Sequence, residues 1–303
     1  MVITADGSVR FPELGLDIEH LTTGIELFGL HISFYGILIA CAMLFGLLLT
    51  KYLAKKSGQS MELYLDFAIF AIIAGIAGAR AVYVLQRWSY FKEAPKEILS
   101  LSNGGLSFLG ALLAAFLVAW LFCKRKKYEL KKLCDTAIVG VLLGQIIGRW
   151  GDFFNRDMLG TYSEGLFAMQ VEARDVNAET LLLSRQAFVG SDFLQVHPVF
   201  LYEIIGNIVL FALLIILYQH KKFSGQVFYT YLLGYGLIRF VTEFFKADKV
   251  RLQVASFEIN GGQLAAAVMM LVGAGFLIRG FIKYRNKEKG KPRSAVAGSK
   301  RQQ

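Results

Sequence analysis

The chain lacks the residues and motifs on which most enzyme classes depend. It has only 4 prolines and 3 cysteines in 303 residues. Cys41, Cys123 and Cys134 lie in or beside apolar runs, without metal-type or disulfide spacing, and read as small core residues. There is no P-loop, no Gly-x-Ser-x-Gly elbow, no His-Glu-x-x-His and no Cys-x-x-Cys pattern. No metal and no organic cofactor is therefore expected. The first 30 residues have no basic stretch followed by an apolar core, so a cleavable signal peptide is not expected either. The net charge of +10 does not point to nucleic acid, because the basic residues fall in short runs between apolar segments.

What the chain has in excess is apolar surface. Hydrophobic residues make up 55% of it and aromatics 14%, with 25 phenylalanines. Its mean hydropathy of +0.49 is too high for a soluble domain of this length. A hydrocarbon core about 30 Å thick needs about 20 apolar residues at 1.5 Å each. Seven segments approach that length: 32–51, 64–85, 106–122, 136–150, 199–217, 227–245 and 264–282. The second is rich in small residues, Gly75, Ala77, Gly78 and Ala79, which let helices approach closely. The expected fold is an all-α integral membrane protein of about seven transmembrane helices. In that scheme residues 1–30 are an extracytoplasmic N-terminal segment and 31–284 the membrane domain. Residues 157–196 are a small extracytoplasmic head inserted into it, and 285–303 a basic cytoplasmic tail expected to be disordered.

Orientation follows from charge. Lysine-dense stretches come after the first, third, fifth and seventh segments, as at Lys55 and Lys56, Lys124 to Lys127, and Lys221 and Lys222. Basic residues stay on the cytoplasmic side, so the N-terminus is expected outside and the C-terminus inside. Four polar clusters then share the outer face.

The first cluster is Gly148-Arg149-Trp150-Gly151-Asp152-Phe153-Phe154-Asn155-Arg156-Asp157-Met158-Leu159-Gly160, which closes an apolar run. An arginine deep in a bilayer helix costs about 2.5–3.5 kcal/mol on insertion scales, so it normally faces a cavity, a partner or the interface. In the second cluster Tyr235, Arg239 and Glu243 stack along one helix face at i, i+4 and i+8. The third is His197-Pro198 through Tyr202-Glu203, and the fourth Asn103-Gly104-Gly105-Leu106-Ser107-Phe108-Leu109-Gly110. Two arginines at the outer interface, without a matching run of acids beside them, suit an anionic headgroup. The guanidinium fork can hold phosphate oxygens in pairs, and a lipid phosphodiester is the anion at that depth.

The ordered set of clusters resembles the phosphatidylglycerol–prolipoprotein diacylglyceryl transferase family. Residues 148–155 with Gly160 look like its signature Gly-Arg-x-Gly-Asn-Phe-x-Asn followed by glycine. Phe34-Tyr35-Gly36, Gly78-Ala79-Arg80 with Tyr83, Gly104-Gly105-Leu106-Ser107-Phe108, His197-Pro198 with Leu201-Tyr202-Glu203, and Tyr235-Gly236 with Arg239-Phe240 and Glu243 complete the resemblance, over roughly residues 30–250. It implies a multi-pass protein of the bacterial inner membrane. The implied reaction moves the diacylglyceryl group of phosphatidylglycerol to the lipobox cysteine of a prolipoprotein. Arg149, Arg239 and Glu243 are then catalytic, while Tyr35, Gly104, Gly105, Asp152, Asn155, Gly160, His197 and Tyr235 bind substrate.

Four positions depart from the family pattern. The signature Asn is Asp152, whose charge repels a phosphate unless Arg149 or Arg156 compensates. In the following Asn-Gly-Glu the Gly is Arg156 and the Glu is Asp157. The His of Ser-Phe-His-Gly, proposed as base for the thiol, is Leu109. Deprotonation then falls to the arginine field, to His197 or to Glu243, unless the chain is a paralogue with altered activity. Two other classes compete with the transferase: an intramembrane serine hydrolase using Ser107 and His197, and a lipid-binding or transport protein without chemistry.

Overall fold

The computed structural model describes residues 3–4, 7–99, 105–176, 188–190, 192–247, 249, 251–254 and 257–289. A helix occupies each long apolar segment: α1 (Phe34–Lys56), α2 (Met61–Gln86), α4 (Phe108–Lys126), α5 (Leu130–Asn155), α6 (Val199–His220), α7 (Gln226–Phe245) and α8 (Gly261–Lys289), with the short α3 (Trp88–Glu93) after α2. Among the described residues, α1, α2, α6 and α8 are long and apolar enough to cross a membrane. Polar residues start several of these helices. Ser60 accepts from the Leu63 N–H, Ser107 from Gly110 and Asn260 from Gly262, each satisfying a donor that the first helical turn leaves open. Basic residues fill the last turns of α1, α4 and α8, where they meet the negative end of the helix dipole.

Two compact units divide the chain: Met1–Gly46 with Ile138–Gln303, and Leu47–Ala137. In the second, α2 and α4 cross through glycine. A Cβ on Gly78 would stand 2.8 Å from the Gly110 carbonyl oxygen, so these positions must stay small for the helices to meet. Tyr64, Ala54, Ala119, Cys123 and Leu133 form the buried core of that unit. In the first unit α7 and α8 meet the same way, since a Cβ on Gly273 would stand 2.7 Å from the Leu233 nitrogen.

The all-α expectation holds for the helices and omits the sheets. The N-terminal segment is strand-rich, with β1 (Ile3–Thr4), β2 (Gly7–Phe11), β3 (Leu16–Leu21), β4 (Gly24–Leu27) and β5 (Leu30–Ser33). The stretch after α5 supplies β6 (Leu159–Tyr162), β7 (Met169–Glu172), β8 (Phe188–Val189) and β9 (Phe193–Pro198). Strands β2 and β3 thus share one antiparallel sheet with β6 to β9, of order β3-β2-β7-β9-β6, with β8 paired to β9. Val9 pairs with Val171, and Val171 in turn with Leu194. These residues bury one face together with Phe11, Leu21, Met169 and Val196, against Phe200 and Ile204 at the start of α6. A second sheet has the order β1-β4-β5, and β10 (Arg251–Val254) pairs with β11 (Phe257–Asn260) just before α8.

Candidate active site

The site is built on α5, α6 and α7, around a carboxylate with no exposed surface. Glu203 stands near the start of α6, its side chain 0% exposed. Its Oε2 lies 2.7 Å from Arg149 Nη2, and its Oε1 accepts a hydrogen bond from Arg239 Nη1 at 2.7 Å. Thr242 Oγ1, on α7, donates to the same Oε1 at 3.3 Å. A buried anion of this kind persists only when paired and hydrogen-bonded. Glu203 therefore fixes two guanidinium groups that stand on different helices, α5 and α7.

Each arginine has further partners. Arg149 Nη1 lies 2.9 Å from Asp152 Oδ2 and 2.7 Å from Met158 Sδ. The Tyr235 hydroxyl also pairs with Arg149. Tyr235 stacks on Tyr231 with ring centroids 5.3 Å apart and planes at 7°, and Gln145 donates to the Tyr231 hydroxyl at 2.9 Å. Arg239 Nη2 stands 3.7 Å from Glu243 Oε2, which is also 3.7 Å from Lys246 Nζ. Gly262 lets the Glu243 carboxylate approach the start of α8, since a Cβ there would lie 2.8 Å from Oε2.

The cluster thus gathers Arg149, Arg239 and Lys246 against Asp152, Glu203 and Glu243. Three cations meet three carboxylates, which corrects the expectation of arginines without matching acids. Asp152 and Glu243 stand one turn from their arginines on the same helices, whereas Glu203, which joins the two, comes from α6 and no local run could reveal it as their partner. Just beyond α7, burial and the neighbouring Arg239 hold the Lys246 ammonium below its ordinary pKa, against the pull of Glu243. Burial raises the Asp157 carboxyl above the usual carboxylate range, and Asn155 hydrogen-bonds to it. Among the described residues no three His, Cys, Asp or Glu side chains gather so as to hold a metal ion.

The remaining candidate residues sort by position. The Tyr35 ring lies directly on Gly151, where a Cβ would come within 2.5 Å of it, beside Arg149 and Asp152 on the same helix. Gly160 is enclosed by backbone: a Cβ would stand 2.6 Å from His197 Cβ and 2.7 Å from the Phe245 carbonyl oxygen. His197 Nδ1 is 3.0 Å from the Tyr202 hydroxyl, its ring packs on Phe245, and burial lowers its pKa. Arg156 does not compensate Asp152. Its Nε lies 3.4 Å from Asp175 and its Nη2 donates to the Leu21 carbonyl, so it serves the sheet. Gly105 belongs to the second unit, at φ +83°, and its carbonyl accepts from Arg80 at 2.9 Å. Asn103 and Gly104 lie outside the described residues. Ser107, the nucleophile of the hydrolase alternative, is accounted for as the cap of α4.

A sequence profile of the prolipoprotein diacylglyceryl transferase family matches residues 23–279. The chain belongs to that family. It is 32% identical to a Finegoldia magna protein over 249 residues, which cover 82% of this chain and 91% of that one. A Clostridioides difficile protein is 33% identical over 263 residues, covering 86% and 95%, and one from Trichormus variabilis 33% over 234 residues, covering 75% and 79%. Each of the three is named phosphatidylglycerol–prolipoprotein diacylglyceryl transferase.

Within this diacylglyceryl transferase family member, sequence reasoning passed over the roles of Glu203, Lys246 and Thr242. Glu203 carried a usable signal: it is the only acid within the apolar segment 199–217, and an acid there needs a partner. Lys246 and Thr242 gave none, since a lysine and a threonine at a helix end are ordinary.

Proposed function

We propose that this chain transfers the diacylglyceryl group of phosphatidylglycerol to the lipobox cysteine of a prolipoprotein, with Arg149 and Arg239 as the phosphate clamp. The observation that carries these roles is the Glu203 carboxylate, which holds both guanidinium groups within 2.7 Å of its oxygens. A guanidinium has five donors in a planar fork, so an arginine bonded to a carboxylate still has edges for phosphate oxygens.

In the reaction, the cysteine sulfur attacks the glycerol carbon that carries the phosphate. The C–O bond breaks with its electron pair on the phosphate oxygen, a C–S thioether forms, and glycerol phosphate departs. Charge builds on the leaving phosphate, where preorganised donors act most strongly on the rate. The thiol must also lose its proton, and a free thiol has a pKa of about 8.5. With leucine at 109, that proton passes to Glu243. Its carboxylate is buried, its Oε2 accepts no hydrogen bond from a described residue, and its ion pairs are long. The cations of the cluster favour the thiolate as it forms. Tyr35, Asp152, Asn155, Gly160, His197 and Tyr235 line or brace the site, and Gly104 and Gly105 bind substrate.

Seven helices cross the bacterial inner membrane in this reading, with the sheet of β2, β3 and β6 to β9 outside as the head. Basic residues in the last turns of α1, α4 and α8, with Lys221 and Lys222 after α6, support a cytoplasmic C-terminus. The deciding experiment incubates purified protein with phosphatidylglycerol and a lipobox peptide and scores the peptide's mass. The wild type adds one diacylglyceryl group, and Arg149→Ala and Arg239→Ala add none while remaining inserted. Near-normal product from either variant rejects the clamp, and no product from the wild type rejects the reaction.

A further inference from the structure

The hairpin that precedes α1 combines features a water-facing turn would not keep. β4 and β5 pair as Ile25 with Ile32, Glu26 with His31 and Leu27 with Leu30. Successive side chains alternate between faces. Ile25, Leu27, Leu30 and Ile32 therefore share one face, and Gly24, Glu26, His31 and Ser33 the other. The two-residue loop is Phe28-Gly29, both at positive φ, +52° and +78°. Such loops favour Asn, Asp or Gly at the first of these positions, and an aromatic there is strained. Phe28 is nonetheless 96% exposed, with Leu30 at 69% and Leu27 at 47%. The strain does not serve packing within the chain.

We infer that this hairpin is a membrane-interface contact, with Leu27, Phe28 and Leu30 seated at the boundary of lipid headgroups and acyl chains. The occupant follows from chain continuity. β5 ends at Ser33 and α1, long and apolar enough to cross a membrane, begins at Phe34 with no connecting loop. The Phe34 N–H donates to the Thr23 carbonyl at 2.9 Å, which ties the base of the hairpin to the first residue of the helix. A four-residue strand spans about 13 Å, so the tip stays within that distance of the level where α1 starts. An amphipathic element at that level gains by laying its apolar face into the boundary and its polar face toward water. Glu26 and His31 lie on the side that this arrangement leaves wet. The inference rests on the membrane reading of α1 and not on the transfer chemistry.

The test places benzoylphenylalanine at Phe28 in the full chain, reconstituted in phosphatidylglycerol-containing bilayers, and irradiates. Position 28 is almost fully exposed, so the aromatic replacement leaves the fold intact. Lipid adducts on the hairpin are expected, several-fold more abundant than with the same probe at Glu26. A main adduct to a second copy or to an added prolipoprotein peptide overturns the inference. So does a lipid yield no higher than at Glu26. As an independent reading, Phe28→Asn suits the left-handed turn and removes the apolar tip. It should leave Tm in detergent unchanged or raised and lower it in lipid nanodiscs relative to the wild type. Equal shifts in both media also overturn the inference. Neither readout depends on turnover, so a failed transfer assay and a failed hairpin contact stay distinguishable.

Discussion

Arg149 and Asp152, one helical turn apart on α5, face each other at 2.9 Å. The aspartate stands where the family signature carries asparagine, and its charge is answered by the arginine assigned to the phosphate. An incoming phosphate must then share that guanidinium with a neighbouring anion. Asp152→Asn removes the competing charge and keeps a carbonyl able to accept from Arg149. The expected result is a KM for phosphatidylglycerol lower by up to about tenfold, the equivalent of about 1.4 kcal/mol, with kcat retained. Peptide mass addition measured across donor concentrations decides it. A raised KM would show that Asp152 helps to bind the lipid.

Glu203→Gln tests the carboxylate at the centre of the cluster. The amide keeps the volume but turns an N–H₂ group toward one of the two guanidinium groups. Breaking a buried ion pair costs about 3–5 kcal/mol. The lower end applies here, because Arg149 and Arg239 keep 22% and 24% of their side chains exposed. Misplacing the clamp should also cut kcat by about 10²–10³, the range for losing one preorganised donor. Thermal unfolding in detergent and single-turnover transfer read the two effects separately. Full activity in Glu203→Gln would detach Glu203 from the clamp.

The helices and the site were legible to different degrees. A stretch of about twenty apolar residues is a strong local signal, and each of the seven segments contains a helix. Arg149 and Arg239 stood out because a charge in such a stretch is costly. Glu203 was visible as a residue but not as their common partner, since the contact spans 54 positions in one direction and 36 in the other. The sheet was hidden for a similar reason. Its strands are two to six residues long, and Val9 finds Val171 only across more than half the length of the chain. Arg156 looked like a second cation for Asp152, and only its direction, toward Leu21 and Asp175, assigns it elsewhere.

His197 gives the protein a pH signature. Burial lowers its pKa below the ordinary value of about 6.5, so the folded chain favours the neutral ring. Above that value both states are neutral and the residue contributes no pH dependence. As pH falls through it, the unfolded chain takes up the proton first, and stability is lost. The Tm in detergent should therefore drop between pH 7.5 and 5.5, and His197→Gln should show a smaller drop. Identical slopes in the two proteins would mean that burial of this imidazole is not felt in the fold.

Arg156 occupies a position at φ +55°, where the family pattern has glycine. A non-glycine residue there carries a backbone cost of about 1 kcal/mol. The side chain offsets it by joining two segments of the sheet: it is 2% exposed, donates to the Leu21 carbonyl at the end of β3 and pairs with Asp175 beyond β7. Arg156→Gly relaxes the turn and removes both contacts, leaving a largely buried carboxylate without its cation. A buried charged hydrogen bond is worth about 1.5–3 kcal/mol, so the loss outweighs the relief. Arg156→Ala keeps the strain and loses the contacts, and should be less stable than Arg156→Gly by about 1 kcal/mol, the usual αL difference between alanine and glycine. Limited proteolysis of residues 1–30 in detergent reads this order directly: wild type slowest, Arg156→Gly intermediate, Arg156→Ala fastest. Equal cleavage in all three would sever the link between this arginine and the anchoring of the N-terminal strands.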